Sequence, residues 1–278
     1  MTEPGLTTID AAAVAGGLAG DGIVGLPGAL TPEWADRLHD DCLRLHDAAS
    51  SYPTGRISRG RNRWYFAVHP EQVSGIADLL THPWVTTICE RILGPAYQVA
   101  EVAFDVSFPG SKYQPWHRDF RKHVGMRVDG SLCALAFNVP TVDVVDEMGP
   151  FEIVRGTQGD DIPTDNQMFP DSEGQRRYED DDRRTLMRPR RGGMSVRTPL
   201  AIHRGTPNVS QQVRPVMVLT AYAGDVDLLK GHDVLAATRG FLDRLPEQAR
   251  DHLHCAVVDS LERIDQGHDI EGLVMGEE

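Results

Sequence analysis

Between residues 32 and 50 the apolar side chains fall at helical spacing, at Trp34, Leu38, Cys42 and Leu45, which predicts a helix with one buried face. Thr31 is placed to cap it, Pro32 suits its first turn, and Glu33 complements its dipole. Before it, "DAAAVAGGLAGDG" reads as a short helix ended by glycine, and "GIVGL" as a small strand. Residues 51–66 read as a basic loop with aromatic residues at its end, and two short helices are expected around 70–80 and 83–93. From residue 97 the period changes from helical to alternating. Strands are predicted at about 97–108, 114–120, 132–139, 150–155, 193–203 with a break, and 214–222, punctuated by Gly and Pro. This is the texture of an all-β barrel or jelly roll.

Between the fourth and fifth of these strands lies a polar stretch, 157–191, with the acids "EDDD", the bases "RPRR" and few apolar anchors. Such a stretch is expected to be a mobile cover. After 223 the pattern returns to helix, in "VLAATRGFLDRL" and "PEQARDHLHCAVVDSLERI". The expectation is one domain, mainly β with flanking α: a helical N-terminal part over 1–96, a core over about 97–222, and C-terminal helices over 223–278.

Composition narrows the function. A chain of 278 residues can build one large core or two small domains. Its net charge of −13 argues against non-specific binding to nucleic acid or to anionic membranes. No apolar run approaches the roughly 20 residues that span a bilayer, and "MTEPGLTTIDAAAV" lacks the pattern of a signal peptide. Cys42, Cys89, Cys133 and Cys255 form no C-x-x-C pair, so neither a zinc knuckle nor a disulfide framework is indicated. A small-molecule partner and a reducing, cytoplasmic location are expected.

The chemistry starts at "YQPWHRDF", residues 113–120. If strand geometry holds there, His117 and Asp119 project from one face and Arg118 from the other. Imidazole and carboxylate on one point make half a metal site, although an ordinary hydrogen-bonded surface pair has the same spacing. A third ligand has to come from elsewhere. His252 and His254 sit in a predicted helix, where positions i and i+2 diverge by about 200°. His39 and His46 belong to the second helix, and His232 and His268 each sit in a "GHD" turn. His203 instead ends the strand-like run "MSVRTPLAIH", and a turn leads from it to "RPVMVLTAY", apolar except at Arg214. An arginine there either reaches solvent or clamps an internal anion through two parallel hydrogen bonds. Two histidines and a carboxylate on facing strands would form a facial triad suited to iron(II).

"QPWHRD", "MGPFEIVRGTQ" and "HRGTPNVSQQVRPVMVLTAY", in that order, resemble the iron(II)- and 2-oxoglutarate-dependent oxygenases of the phytanoyl-CoA dioxygenase type. In the middle block Gly149, Pro150, Gly156 and Thr157 keep the family frame. The resemblance implies a double-stranded β-helix (cupin-like jelly roll), with His117, Asp119 and His203 as iron ligands and Arg214 on the far carboxylate of 2-oxoglutarate. It also implies that Phe137, in "ALAFNVP", lies beside that cosubstrate, and that dioxygen is the second one. Three positions depart from the family: Arg155 replaces a proline, Gln158 a histidine, and Gly205 a hydroxyl residue that some members use to hold the cosubstrate. Halogenating relatives lack the carboxylate ligand, so Asp119 implies hydroxylation or a related oxidation. A cluster of bases, Arg118, Arg121, Lys122 and Arg127 with Arg61 and Arg63, hints at an anionic ligand. Two rivals remain at this stage: a cupin-like metal enzyme that does not use 2-oxoglutarate, and a non-catalytic ligand-binding jelly roll.

Overall fold

In the computed structural model the described residues are 9–226 and 235–266. The chain enters through α1 (Ala11–Gly20), β1 (Ile23–Leu26) and α2 (Pro32–Ser50). Asp10 caps α1 by accepting from the Ala13 amide at 2.9 Å, and Thr31 caps α2 by accepting from Trp34 at 3.2 Å. The expected basic loop instead carries two strands, β2 (Ile57–Ser58) and β3 (Arg63–Ala67), joined by a turn in which Asn62 has positive φ. Then come α3 (Ile76–Leu80), α4 (Pro83–Leu93) and the long β4 (Gln98–Ser107). A four-residue turn of helix, α5 (Lys122–Gly125), precedes β5 (Ala134–Pro140) and β6 (Phe151–Val154). After them come α6 (Ser172–Glu179), β7 (Arg184–Met187), β8 (Met194–Arg197), β9 (His203–Gly205) and β10 (Arg214–Tyr222).

Seven strands form one antiparallel sheet in the order β1-β8-β5-β10-β4-β3-β2, and β7-β6-β9 form a second, smaller sheet. Large antiparallel sheet, small sheet and flanking helices together make a jelly-roll fold. Strand alternation explains the large sheet. Phe66, Val102, Phe104, Leu135, Phe137, Val139, Val196, Met217 and Leu219 face the helices, where they pack with Trp34, Leu38, Leu79 and Trp84. Each such side chain contributes about 1.5–3 kcal/mol by leaving water. The intervening positions face a cavity between the two sheets and carry the polar groups: Arg63, Glu101, Asp105, Asn138, Arg197, Arg214 and Thr220.

Two other sequence expectations change. Residues 114–120 are not a continuous strand: Pro115 has no amide hydrogen to give a ladder, and pairing there is the single bridge His117–His203. The C-terminal part is not two long helices but β11 (Ala236–Thr238), α7 (Arg239–Arg244), α8 (Glu247–Asp251) and β12 (Ala256–Val258). The Thr238 hydroxyl accepts from the Phe241 amide at 3.2 Å, so α7 starts only after it, and Pro246 starts a new helix instead of continuing the old one. His252 ends α8 with its Nδ1 2.8 Å from the Tyr97 carbonyl. His232 and His268 lie outside the described residues.

Candidate active site

His117 and His203 exchange backbone hydrogen bonds, with N–H to carbonyl distances of 3.0 and 2.8 Å. The 115–119 segment therefore lies along β9 at the rim of the small sheet, and the Asp119 amide is fixed by donating to the Pro199 carbonyl at 2.9 Å. The side chains of His117, Asp119 and His203 bring their ligand atoms within 4.8 Å of one another. Both imidazoles are oriented in the same manner. The Nδ1 of His117 lies 2.8 Å from the Pro115 carbonyl and that of His203 lies 2.9 Å from the Ala201 carbonyl. A carbonyl only accepts, so each Nδ1 carries the hydrogen, and in the neutral ring Nε2 presents a lone pair. Burial, and then the neighbouring His203, push the His117 pKa down to about 3, which keeps that ring neutral. Burial works against ionisation of Asp119 too, but the Arg197 guanidinium beside it outweighs that and holds the carboxyl well below its usual range. Arg197 Nη1 donates to Asp119 Oδ2 at 2.5 Å, while Oδ1 sits 3.4 Å from His203 Nε2. Two imidazole Nε2 atoms and one ionised carboxylate oxygen form the donor set that suits iron(II) with positions left open.

The triad opens on a cavity of about 440 Å³. On its large-sheet wall Arg214 is 3 % exposed, and its Nε has no hydrogen-bond partner among the described residues. Burial, followed by repulsion from Arg63, lowers its pKa to about 10, so it stays charged at neutral pH. Arg63 is as deeply buried; its Nη2 donates to the Thr206 carbonyl at 3.0 Å and its Nη1 faces Asp105 at 3.5 Å. Gly205 explains how Arg63 fits. A Cβ at position 205 would overlap the Arg63 Cζ and both Nη atoms, so the guanidinium occupies the space where a side chain would project. The hydroxyl missing from position 205 is thus matched by a cation in the same place.

Phe137 is a correction. It packs edge-on against Trp84 of α4, with ring centroids 6.0 Å apart, and its cavity-facing neighbours are Ala136 and Asn138. Strand parity turns it into the helix-facing core. The basic cluster also resolves differently: Lys122 pairs with Asp161, Arg127 with Asp225, and Arg118 is buried with its Nη2 on the Asp160 carbonyl. Of that cluster Arg63 and Arg118 line the cavity. Sequence reading missed Arg197, Arg59 and Glu101. Arg197 carries the signal that revealed Arg214, a lone charge in an otherwise apolar strand, whereas Glu101 shares β4 with Asp105. The 157–191 segment supplies the opposite wall, where Phe169 stacks on His117 with centroids 5.5 Å apart and Met168 and Met187 flank it.

The fold is shared with solved structures. The non-heme alpha ketoglutarate dependent carbocyclase SnoK from nogalamycin biosynthesis aligns at 19 % identity over 77 % of this chain and 87 % of its own, with a TM-score of 0.60. The epimerase SnoN, solved in complex with Fe3+, alpha ketoglutarate and nogalamycin RO, aligns at 17 % identity over 79 % and 88 %, with a TM-score of 0.60. AviO1 from Streptomyces viridochromogenes Tue57 aligns at 19 % identity over 79 % and 98 %, with a TM-score of 0.55. Residues 18–216 match the phytanoyl-CoA dioxygenase (PhyH) family, which takes in the triad, Arg63 and Arg214; the chain is an enzyme of the phytanoyl-CoA dioxygenase family.

Proposed function

We propose that this protein is an iron(II)- and 2-oxoglutarate-dependent oxygenase that oxidises a C–H bond of a small molecule, with release of succinate and carbon dioxide. One observation carries the reading: two imidazoles oriented through their Nδ1 atoms and one ionised carboxylate converge within 4.8 Å on a cavity that also holds two buried guanidiniums. His117, Asp119 and His203 hold the iron. Arg214 takes the far carboxylate of 2-oxoglutarate through its fork, and Arg63 makes the second contact in the space left by Gly205. When bound, iron supplies dioxygen activation coupled to decarboxylation of 2-oxoglutarate and to oxidation of the substrate. The protein's residues position the reactants and exclude water. Arg197 holds one oxygen of Asp119, leaving the other to face His203 and the metal position. Phe151, Met168, Phe169 and Met187 close the apolar side of the cavity.

Hydroxylation is the proposed outcome. Desaturation, epimerisation and ring closure begin with the same hydrogen removal, and the carbocyclase and epimerase names of SnoK and SnoN keep them within the proposal. Asp119 occupies the position that halogenating relatives leave to chloride. A cupin-like enzyme without 2-oxoglutarate, or a mere binding protein, has no need of Arg214, a buried guanidinium whose Nε has no hydrogen-bond partner among the described residues. A reducing, cytoplasmic setting belongs to the proposal, supported by four cysteines that are all free. No described helix is long and apolar enough to cross a membrane.

The test is anaerobic calorimetry. Iron(II) is expected to bind one site, and 2-oxoglutarate only the metal-loaded protein. Arg214→Lys is expected to weaken 2-oxoglutarate at least about tenfold, roughly 1.4 kcal/mol, and Gly205→Ser to do the same by displacing Arg63. Unchanged 2-oxoglutarate affinity in both variants would remove the cosubstrate from the reading.

A further inference from the structure

The same cavity holds two opposite charges that neither the metal nor 2-oxoglutarate uses. Arg59 lies at the end of β2, and its guanidinium stands 4.9 Å from the centroid of the Tyr65 ring. That side chain makes no ion pair and no hydrogen bond with any described residue. Its backbone is fixed: the amide donates to the Arg63 carbonyl at 2.9 Å, and its carbonyl accepts from Gln114 at 3.1 Å. Gln114 in turn accepts from the Gly205 amide at 2.8 Å, which ties Arg59 to the strand that carries His203. Arg59 lines the same cavity as His117 and His203.

Glu101 sits on β4, at the hydroxyl end of Tyr65. Its two carboxylate oxygens accept from the Tyr65 hydroxyl at 2.6 Å and from the Thr220 hydroxyl. Both donors are neutral, and Glu101 has no cationic partner among the described residues. Burial and Glu101 raise the Tyr65 pKa well above its usual value, so the phenol remains a donor. One tyrosine therefore meets a cation at its ring and an anion at its hydroxyl, both half-buried and both lining the cavity. If stability alone shaped this wall, the two would pair with each other, since a part-buried charge without a counter-ion pays desolvation for nothing. Held apart, they complement a ligand that carries both signs. The other charges on the cavity wall have protein partners or cosubstrate roles: Asp119 faces Arg197, Asp105 faces Arg63, and Asp265 at the rim accepts from Thr54.

We infer that the substrate is a zwitterion of the amino-acid class, its carboxylate held by Arg59 and its ammonium group by Glu101. The inference rests on the oxygenase reading, because it places this ligand beside the triad. Tyr65 spaces the two charges and offers its ring face to the apolar part of the ligand next to the head group.

The test uses the full-length protein loaded with manganese(II) and 2-oxoglutarate, which permits binding without turnover. It is titrated calorimetrically with linear and branched α-, β- and γ-amino acids, and with the matching monocarboxylates and amines. At least one zwitterion series is expected to bind at least about tenfold more tightly than either of its single-charge counterparts. Arg59→Gln is expected to abolish the advantage of the zwitterion over the amine, and Glu101→Gln its advantage over the monocarboxylate. Both variants are expected to keep their affinity for manganese and 2-oxoglutarate, which shows that they are folded and that the cosubstrate site is intact. If the loaded protein shows no zwitterion advantage, or if both substitutions leave it in place, the inference is overturned while the oxygenase reading stands. If 2-oxoglutarate itself does not bind, the oxygenase reading fails first.

Discussion

Arg197 is the residue on which the ligand geometry of Asp119 turns. The guanidinium is 7 % exposed, approaches the Phe151 ring to 5.5 Å, and donates to the carboxylate oxygen that does not face His203. Outer partners of metal ligands commonly set affinity by about 10–100-fold. Arg197→Gln is therefore expected to weaken iron(II) binding in that range in a competition titration against a chelating dye. Arg197→Lys is expected to recover part of the loss, because it restores the charge but not the fork; if Gln and Lys behave alike, the contact is only structural. Phe137 makes the opposite case. It is fully buried against α4, so Phe137→Ala is expected to cost about 3–5 kcal/mol in urea melts while leaving the KM for 2-oxoglutarate within about twofold. In the sequence His117 and Asp119 stand out by their H-x-D spacing, His203 as the end of a strand-like run, and Arg214 as the charge in an otherwise apolar strand. Phe137 is not, because an aromatic residue in a strand fits either face, and only the pairing of β5 with its neighbours decides which.

At the level of elements, the 157–191 segment carries acids and bases that suggest a loose cover, and several of them pair with one another and with the sheet. Arg204 of β9 lies between the rings of Tyr113 and Trp116, at 4.2 and 4.1 Å, and bridges Glu152 at 2.8 Å and Glu179 at 2.6 Å. Gln175 of α6 both accepts from the Trp116 amide and donates to its carbonyl, each at 2.8 Å. Ile162 and Tyr178 are buried with Trp116, Val154 and Ile202, so two apolar anchors suffice to hold the segment down. Charge-assisted hydrogen bonds of this kind contribute about 1.5–3 kcal/mol each. Trypsin is therefore expected to cut slowly at Arg176 and Arg177 in the native enzyme. The double change Gln175→Ala with Glu179→Ala is expected to speed that cleavage at least about tenfold and to raise uncoupled turnover of 2-oxoglutarate. Equal cleavage in both proteins would mean that the segment is held by something else. The long strands are legible because sustained alternation of apolar and polar residues suits a strand with two unlike faces and does not suit a helix. β3 is hidden by Arg63 and the two-residue β2 by the arginines on either side of it, and the C-terminal strands by helix-forming neighbours.

At the level of the whole molecule, the triad and the arginine pair lie on opposite walls. His203 belongs to the small sheet and His117 and Asp119 to the segment beside it, whereas Arg63 and Arg214 belong to the large sheet. Under the proposed function, a metal on the first wall carrying a cosubstrate that reaches the second would tie the two sheets together. Binding to the folded state alone stabilises by about 2.7 kcal/mol at a hundredfold excess over Kd. For a chain of this size that corresponds to a Tm rise of roughly 5–10 °C. The sheet-bridging arrangement predicts that manganese(II) with 2-oxoglutarate gives a larger rise than manganese alone, and that a chelator reverses both. The surface charge of −13 makes a control necessary, because divalent cations also gather on acidic surfaces. His203→Ala supplies it, since the substitution removes one ligand and leaves the surface as it was. The metal-dependent rise is expected to vanish in His203→Ala at low ionic strength and at 0.15 M salt alike. In Arg214→Ala the rise with manganese alone is expected to survive and the increment from 2-oxoglutarate to disappear. A rise that persists in His203→Ala, or an increment that survives in Arg214→Ala, would place the stabilising ligand somewhere other than between the two sheets.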